Sequence, residues 1–255
     1  MCVKEEFVAQ PNLPRGKVTL AAVSDVYSEI PAALEKQGVA CVTTVPDPRL
    51  PSPIASHADM QMFHLHGNRT FVLKGEQALK KQLEGVGFAV AETSMEPTGK
   101  YPGDVLCNAL QLSDKLLANL GSMDPLIYTY VESLGLRTIH VNQGYTRCAA
   151  AVVNDHAIIT MDIGIQTAAQ FLGMDALLIN EHGILLDGYD YGFIGGCCGL
   201  VDKDVLAFTG ALDSLRCAPQ IHAFLEKHHV KPVELTRNQM VDIGGILPLK
   251  ERAEA

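Results

Sequence analysis

Residues 148–179, CAAAVVNDHAIITMDIGIQTAAQFLGMDALLI, read as one complete folding unit. Two apolar runs, 148–153 and 157–160, flank Asn154-Asp155, the pattern of a β-hairpin with a tight polar turn. Residues 165–172 follow with helical apolar spacing and stop at Gly173, which tolerates the left-handed conformation after a helix. Residues 176–179 return as a third strand. The order is strand, strand, helix, strand.

That order recurs on either side, each time after a short polar lead. His57-Ala58-Asp59 opens a first unit, with strands 59–65 and 70–73 around His66-Gly67-Asn68, a helix over 75–84 and a strand over 88–92. Tyr101-Pro102-Gly103-Asp104 opens a second, with strands 105–110 and 116–120 around Ser113-Asp114. Its helix, 122–134, has Asp124-Pro125 as start signal and Gly135 as stop, and strand 137–141 returns. Asn142-Gln143-Gly144-Tyr145 leads the third unit. Asp187-Gly188-Tyr189-Asp190 leads a fourth, with strands 192–200 and 205–209 around Asp202-Lys203, helix 214–228 and strand 233–235. The leads recur about every forty to fifty residues, the period of propellers and other arrays.

Two part-units remain. Strand 18–23, a helix over 27–37 capped by Ser24-Asp25 and closed by Gly38, and strand 39–45 stand at one end. Strand 241–249 stands at the other. Pairing 18–23 with 241–249 completes a fifth unit and hides both sheet edges. The expected fold is α/β, a single domain over 1–255 with a repeat core at about 18–249. It is a five-bladed α/β propeller of ββαβ units, the ring closed by its terminal strands. In a ring the leads converge on one axis.

Composition bounds the function. The chain has 255 residues, 47% hydrophobic and 19% charged, so it can bury a sizeable core. Its net charge of −9 argues against a nucleic-acid partner, which calls for clustered Lys and Arg. The opening Met1–Glu6 stretch has no apolar core, so no signal peptide is expected, and no apolar run reaches the roughly 18 residues of a membrane helix. Seven scattered cysteines suit a reduced, cytoplasmic setting. Neither a dinucleotide nor a Walker glycine loop occurs, and no zinc spacing, so no cofactor or metal is expected. Assembly into a homo-oligomer stays open.

The unit order and several motifs resemble the guanidino-group-modifying enzymes, or penteins. These include deiminases, dimethylarginine hydrolases, amidinotransferases and a non-catalytic ribosome-binding factor. Tyr101-Pro102-Gly103-Asp104-Val105 is similar to the Gly-Gly-Asp-Val element of deiminases, whose Asp helps hold the guanidinium. Asp59-Met60-Gln61-Met62-Phe63 is similar to the acidic first-unit element, and Val241-Asp242-Ile243-Gly244-Gly245 to the glycine-rich lead of the last strand. As a whole, segments 144–148, 192–196 and 242–248 resemble an uncharacterised bacterial family assigned this fold. Two departures stand out. Gln143-Gly144-Tyr145-Thr146 occupies the place of the catalytic His-X-Asp-Thr of deiminases. Ile246-Leu247 follow the last glycines, where deiminases place a nucleophilic Cys.

The candidate residues follow. Asp59 and Asp104 take matching places in two units. Their carboxylates would hold a planar guanidinium by paired hydrogen bonds, or simply cap turns. His57, with an unperturbed pKa near 6.5, would carry a proton, oriented by Asp59 on the same strand face, or sit in a solvated loop. Arg147 shares a strand face with Tyr145 and would meet a ligand carboxylate, or else pair with a carboxylate such as Asp59 or Asp162; Cys148, a thiol that Arg147 could activate as a nucleophile, falls on the opposite face and would be core. Asn142 and Gln143 offer neutral hydrogen bonds, and Tyr191, with Tyr189, would wall the pocket. Within Gly195-Gly196-Cys197-Cys198-Gly199, Cys198 or Cys197 is the candidate replacement nucleophile.

The expected function is an acidic central pocket for a small guanidinium, amine or amino-acid-like ligand, with hydrolysis at a guanidine or amidine C–N bond as the reaction. The alternative is a non-catalytic binding module, a ligand sensor or protein-binding ring.

Overall fold

The computed structural model describes residues 5–252. In chain order it contains β1 (Glu5–Phe7), β2 (Lys17–Ser24), α1 (Glu29–Lys36) and β3 (Ala40–Thr44). Then come α2 (Ala58–Gln61), β4 (Met62–His66), β5 (Arg69–Val72), α3 (Gln77–Gly85) and β6 (Ala89–Glu92). The next unit is β7 (Leu110–Leu112), β8 (Lys115–Ala118), α4 (Pro125–Ser133) and β9 (Arg137–His140). It is followed by β10 (Ala150–Asn154), β11 (Ala157–Thr160), α5 (Ile163–Phe171) and β12 (Asp175–Leu178). Last are β13 (Cys198–Asp202), β14 (Val205–Phe208), α6 (Ala218–Lys227), β15 (Lys231–Glu234) and β16 (Leu247–Arg252).

Each middle unit is an antiparallel hairpin whose second strand pairs in parallel with the strand after the helix. The terminal strands make the fifth sheet: β16 runs antiparallel to β2, with Leu247 opposite Ala22, and β2 runs parallel to β3. β1, which sequence reading missed, adds to the outer edge of β16. The five sheets, of three or four strands each, remain separate, and no sheet closes on itself.

Local chemistry accounts for the helices. The Asp124 carboxylate accepts from the amides of Leu126 and Ile127, and Pro125 starts α4, whose Ile127 and Val131 are buried. Asp162 accepts from Ile165 N, and α5 buries Ile165, Ala168 and Ala169. Such caps contribute about 1 kcal/mol each. Gly135 and Gly173 follow with positive φ and end the two helices.

Apolar clusters join neighbouring units. Phe63 and Phe71 of the first unit pack with Leu116 and Ile127 of the second. Leu110 and Leu117 pack with Val152 and Ile158, and these with Phe208 and Ile221. Val201 and Ala207 meet Val18 and Ile246 of the terminal sheet. Leu20 and Leu249 of that sheet meet Met62 and Leu79 of the first unit. Each unit thus shares an apolar cluster with the unit after it, and the terminal sheet shares one with the first unit.

The strands begin later than the sequence suggests. Residues 58–61 form the helical turn α2, 195–197 form a single 3₁₀ turn, and 145–149 form a turn closed by Ala149 N donating to Tyr145 O at 2.9 Å. A buried turn and a buried strand carry the same apolar run, so periodicity does not separate them. Residues 241–246 are likewise not strand, because Gly244 and Gly245 have φ of +75° and +78°. Among the described residues no helix is long and apolar enough to cross a membrane, and the six cysteines are free.

Candidate active site

The leads converge. A cavity of about 380 Å³ is lined by His57 of the first lead, Gln143 and Tyr145 of the third, Tyr189 and Asp190 of the fourth, and Asp242 of the terminal unit. Cys148 is on its floor, and Tyr191 and Phe193 stand at its side. The lining includes two carboxylates, Asp190 and Asp242, and no lysine or arginine.

Behind the floor lies a buried cluster. Cys148 Sγ donates to Asp59 Oδ2 at 2.8 Å and accepts from Asn108 Nδ2 at 3.1 Å. His57 Nδ1 stands 3.7 Å from Asp242 Oδ1. His57, Asp59 and Asp242 are each 2% exposed. Among the described residues, His57 Nδ1 and Asp59 Oδ1 have no hydrogen-bond partner. Buried polar atoms are normally paired.

Glycines make this approach possible. A Cβ at Gly196 would overlap the Asp242 carboxylate, and one at Gly244 would overlap the His57 side chain. Asp242 is held by the amides of Phe193 at 2.8 Å and Gly244 at 3.0 Å. Asp59 N bonds to Gly244 O at 3.3 Å. The glycine-rich lead of the last strand therefore seats the first unit's His and Asp against Asp242.

Electrostatics follow from burial. Desolvation raises the Asp59 pKa to about 6, although the charges of His57 and Arg147 and the Cys148 S–H oppose it. Burial, then the Asp59 and Asp242 carboxylates, push the Cys148 thiol well above its usual range, so the resting thiol is protonated. Asp104 accepts from Tyr145 Oη at 2.6 Å, and burial plus that carboxylate push the phenol up as well.

His57, Asp59 and Cys148 are also the residues that could hold a metal, offering ligand atoms within 4.8 Å of one another. Their Sγ–Oδ2 separation of 2.8 Å is a hydrogen-bond distance. Two ligands of a tetrahedral zinc stand about 3.5 Å apart, so binding would have to open the pair and remove the thiol proton.

The expected site residues divide. His57, Gln143, Tyr145 and Tyr191 line the cavity, Asp59 lies directly behind Cys148, and Asp104 reaches the site through Tyr145. His57 and Asp59 do not share a strand face: His57 caps α2 and Asp59 lies in its first turn. Asn142 is exposed and its carbonyl accepts from Asn119. Arg147 points away from the cavity. Its Nε donates to Asn12 and its Nη1 to Gly195 O, each at 3.0 Å, beside a space of about 20 Å³ that has room for one water. The reason is the turn over 145–149: residues three apart share its face, so Cys148 joins Tyr145 and Arg147 turns aside. Cys198 is fully buried, bonds to Ile194 O at 3.3 Å and does not line the cavity. Sequence reading assigned Cys148 to the core, whereas it lines the cavity, and did not single out Asn108 or Asp242. For Asp242 the signal was present, an acid in the terminal lead where Asp59 and Asp104 stand in theirs.

Solved structures of the same fold are guanidino-group-modifying enzymes, of the pentein superfamily. An inosamine-phosphate amidinotransferase from Streptomyces griseus aligns with TM-score 0.60 and 12% identity, over 98% of each chain. A DDAH from Pseudomonas aeruginosa aligns with TM-score 0.54 and 8% identity, over 93% of this chain and all of the other. An amidinotransferase of saxitoxin biosynthesis from Microseira wollei aligns with TM-score 0.52 and 10% identity, over 89% of this chain and 91% of the other. At these identities the likeness is one of fold. No curated protein matches the sequence significantly. One family profile does, over residues 22–247, and the chain belongs to that family of unknown function, DUF6873.

Proposed function

We propose that the five units stand around one axis as an α/β propeller, and that the cavity binds a small guanidinium or amidinium cation for C–N bond cleavage by Cys148. The observation that carries this reading is the meeting of Cys148, His57 and Asp242 in the lining of one cavity, with Asp59 bonded to Cys148 behind it and no lysine or arginine in the lining. A cation there is attracted by the exposed Asp190 and, more strongly, by the buried and poorly solvated Asp242. Its charge also lowers the cost of forming the Cys148 thiolate, which the resting site opposes.

Asp59 takes the thiol proton, since a carboxylate with pKa about 6 is a base near neutral pH. The sulfur attacks the amidine carbon, and His57 delivers a proton to the departing amine. The Cys thus comes from the third lead, not from behind the last glycines. With Arg147 turned away, no lysine or arginine in the lining receives a carboxylate, so the ligand is a cation without one. A binding module without chemistry is the second reading, and the protonated resting thiol favours it.

Alkylation with 2-chloroacetamidine and its neutral isostere 2-chloroacetamide separates the two. The expected result is Cys148 modified at least tenfold faster by the amidine, read by peptide mass spectrometry. Equal rates would remove the cation site; no modification of Cys148 would remove the nucleophile and leave binding alone.

A further inference from the structure

The lining of the cavity above Cys148 holds two kinds of residue. His57, Cys148 and Asp242 carry the proposed chemistry. The rest is largely aromatic: Tyr145 comes from the third lead, and Tyr189, Tyr191 and Phe193 from the fourth and the residues just after it. The chain has seven tyrosines, eight phenylalanines and no tryptophan, yet four of these rings meet at one place, and the proposed steps use none of them. Two stay open to solvent, Tyr189 at 47% exposed and Tyr191 at 37%. Exposed aromatic surface gathered in a concave site marks the part of it that a ligand covers.

The rings are held in place. Tyr145 Oη donates to Asp104 at 2.6 Å. His182, outside the lining, packs against Tyr191 with ring centroids 4.5 Å apart and planes at 90°. Phe193 N donates to Asp242 Oδ2 at 2.8 Å, so the residue that carries the ring is tied to the buried carboxylate. Tyr191 and Phe193 stand at 86° with centroids 6.3 Å apart, and Phe193 is inclined by 35° to Tyr145 at 6.5 Å. A flat ring seated among them would stack on one and meet another edge to face, the two arrangements that aromatic pairs prefer.

We infer that the cavity selects an aryl amidinium or aryl guanidinium, a cation joined directly to a flat aromatic body. This rests on the reading of the cavity as a cation site. Asp242 takes the charge, and the aromatic walls take the body and, through their π faces, share in holding the charge. Other cations fit less well. An amino acid brings a carboxylate and meets no lysine or arginine in the lining. A flexible alkyl dication would set its second charge on Asp190, which is exposed, so that solvent screens the pair. It would also lose more conformational freedom on binding than a rigid aryl cation does. The selection needs no chemistry at Cys148, so it holds whether the cavity cleaves its ligand or only binds it.

Benzamidine is the probe. Acetamidine is the same cation without the ring, benzamide the same ring without the charge, and agmatine the flexible dication. Dissociation constants are read by isothermal titration calorimetry at neutral pH. Benzamidine should bind about tenfold or more tighter than each of the other three, the effect of burying one ring beside a held charge. Tyr191→Ala and Phe193→Ala should each cut the preference for benzamidine over acetamidine by about fivefold, and Tyr191→Phe should keep it. Equal binding of benzamidine and acetamidine, or tighter binding of agmatine, overturns the aromatic selection and leaves the cation site in place. A preference untouched by both alanine variants overturns it too, by placing the ring elsewhere. Benzamide binding as tightly as benzamidine, or no binding by any of the cations, overturns the cation site itself, and the aromatic selection with it.

Discussion

Cys148 and Cys198 occupy comparable places and face different fates. Each lies at or just after a short turn that leads into the first strand of a hairpin, in adjacent units, and the two turns are bonded directly through Gly196 N and Cys148 O at 3.0 Å. Both thiols are buried and both are pushed up by burial, Cys198 to about 12. Cys198 bonds to the carbonyl four residues earlier in its own turn. Cys148 bonds to side chains from two other units, Asp59 and Asn108, and opens on a cavity. The difference between the two thiols lies in the neighbours that other units bring, not in burial or a nearby glycine run.

The comparison breaks most sharply in labelling. Cys148→Ala should abolish modification by 2-chloroacetamidine, and Cys198→Ala should leave its rate within twofold. Labelling that survives Cys148→Ala would invert the assignment. Next, Asp59→Asn should slow labelling of Cys148 by about a hundredfold or more, the usual contribution of a general base. In the unmodified protein the rate should rise with pH through about 6 as Asp59 loses its proton. A rate flat from pH 5 to 7 would move the base elsewhere.

Stability gives the third test. The folded pKa of Asp59 lies above its unfolded value, so its contribution is full below about pH 4 and is lost as pH rises through about 6. Above that window the buried carboxylate costs roughly 3 kcal/mol. Asp59→Asn should therefore be more stable than the unmodified protein at pH 8, with the advantage vanishing at pH 4, as measured by urea unfolding. His64 acts in the opposite sense. Burial lowers its pKa to about 4, so its contribution is lost as pH falls from about 6.5. The difference between variant and parent isolates Asp59 from it.

Smaller effects concern the scaffold. Gly244→Ala puts a side chain at positive φ and against His57, and should cost about 1–3 kcal/mol. Gly85→Ala, with open space around its Cα at the end of α3, should be neutral or stabilising in the same denaturation assay. Between these two, Cys198→Ala should cost about 1 kcal/mol, the loss of one buried atom and a weak bond. A Gly244→Ala protein as stable as its parent would show that His57 has room to yield.

Much of the architecture was legible because it is local. Hairpin turns at Asn154-Asp155 and Gly67, the Asp124-Pro125 helix start and the Gly135 and Gly173 stops are written in adjacent residues, and the structure keeps them. The meeting of several leads at one cavity was legible too, since repetition places like with like. The turns ahead of the hairpins were not. Residues 145–149 and 195–197 are apolar because they are buried, and burial alone does not distinguish a strand from a turn.

The sequence alone therefore determined the succession of units, the pairing of the two chain ends and the acids at the head of the leads. All three depend on periodicity and on residues close in the chain. The tertiary structure decided which cysteine meets a carboxylate and where Arg147 points. Both turn on the chain folding as a turn over residues 145–149, and on contacts between residues as far apart as Asp59 and Cys148 that no local pattern encodes.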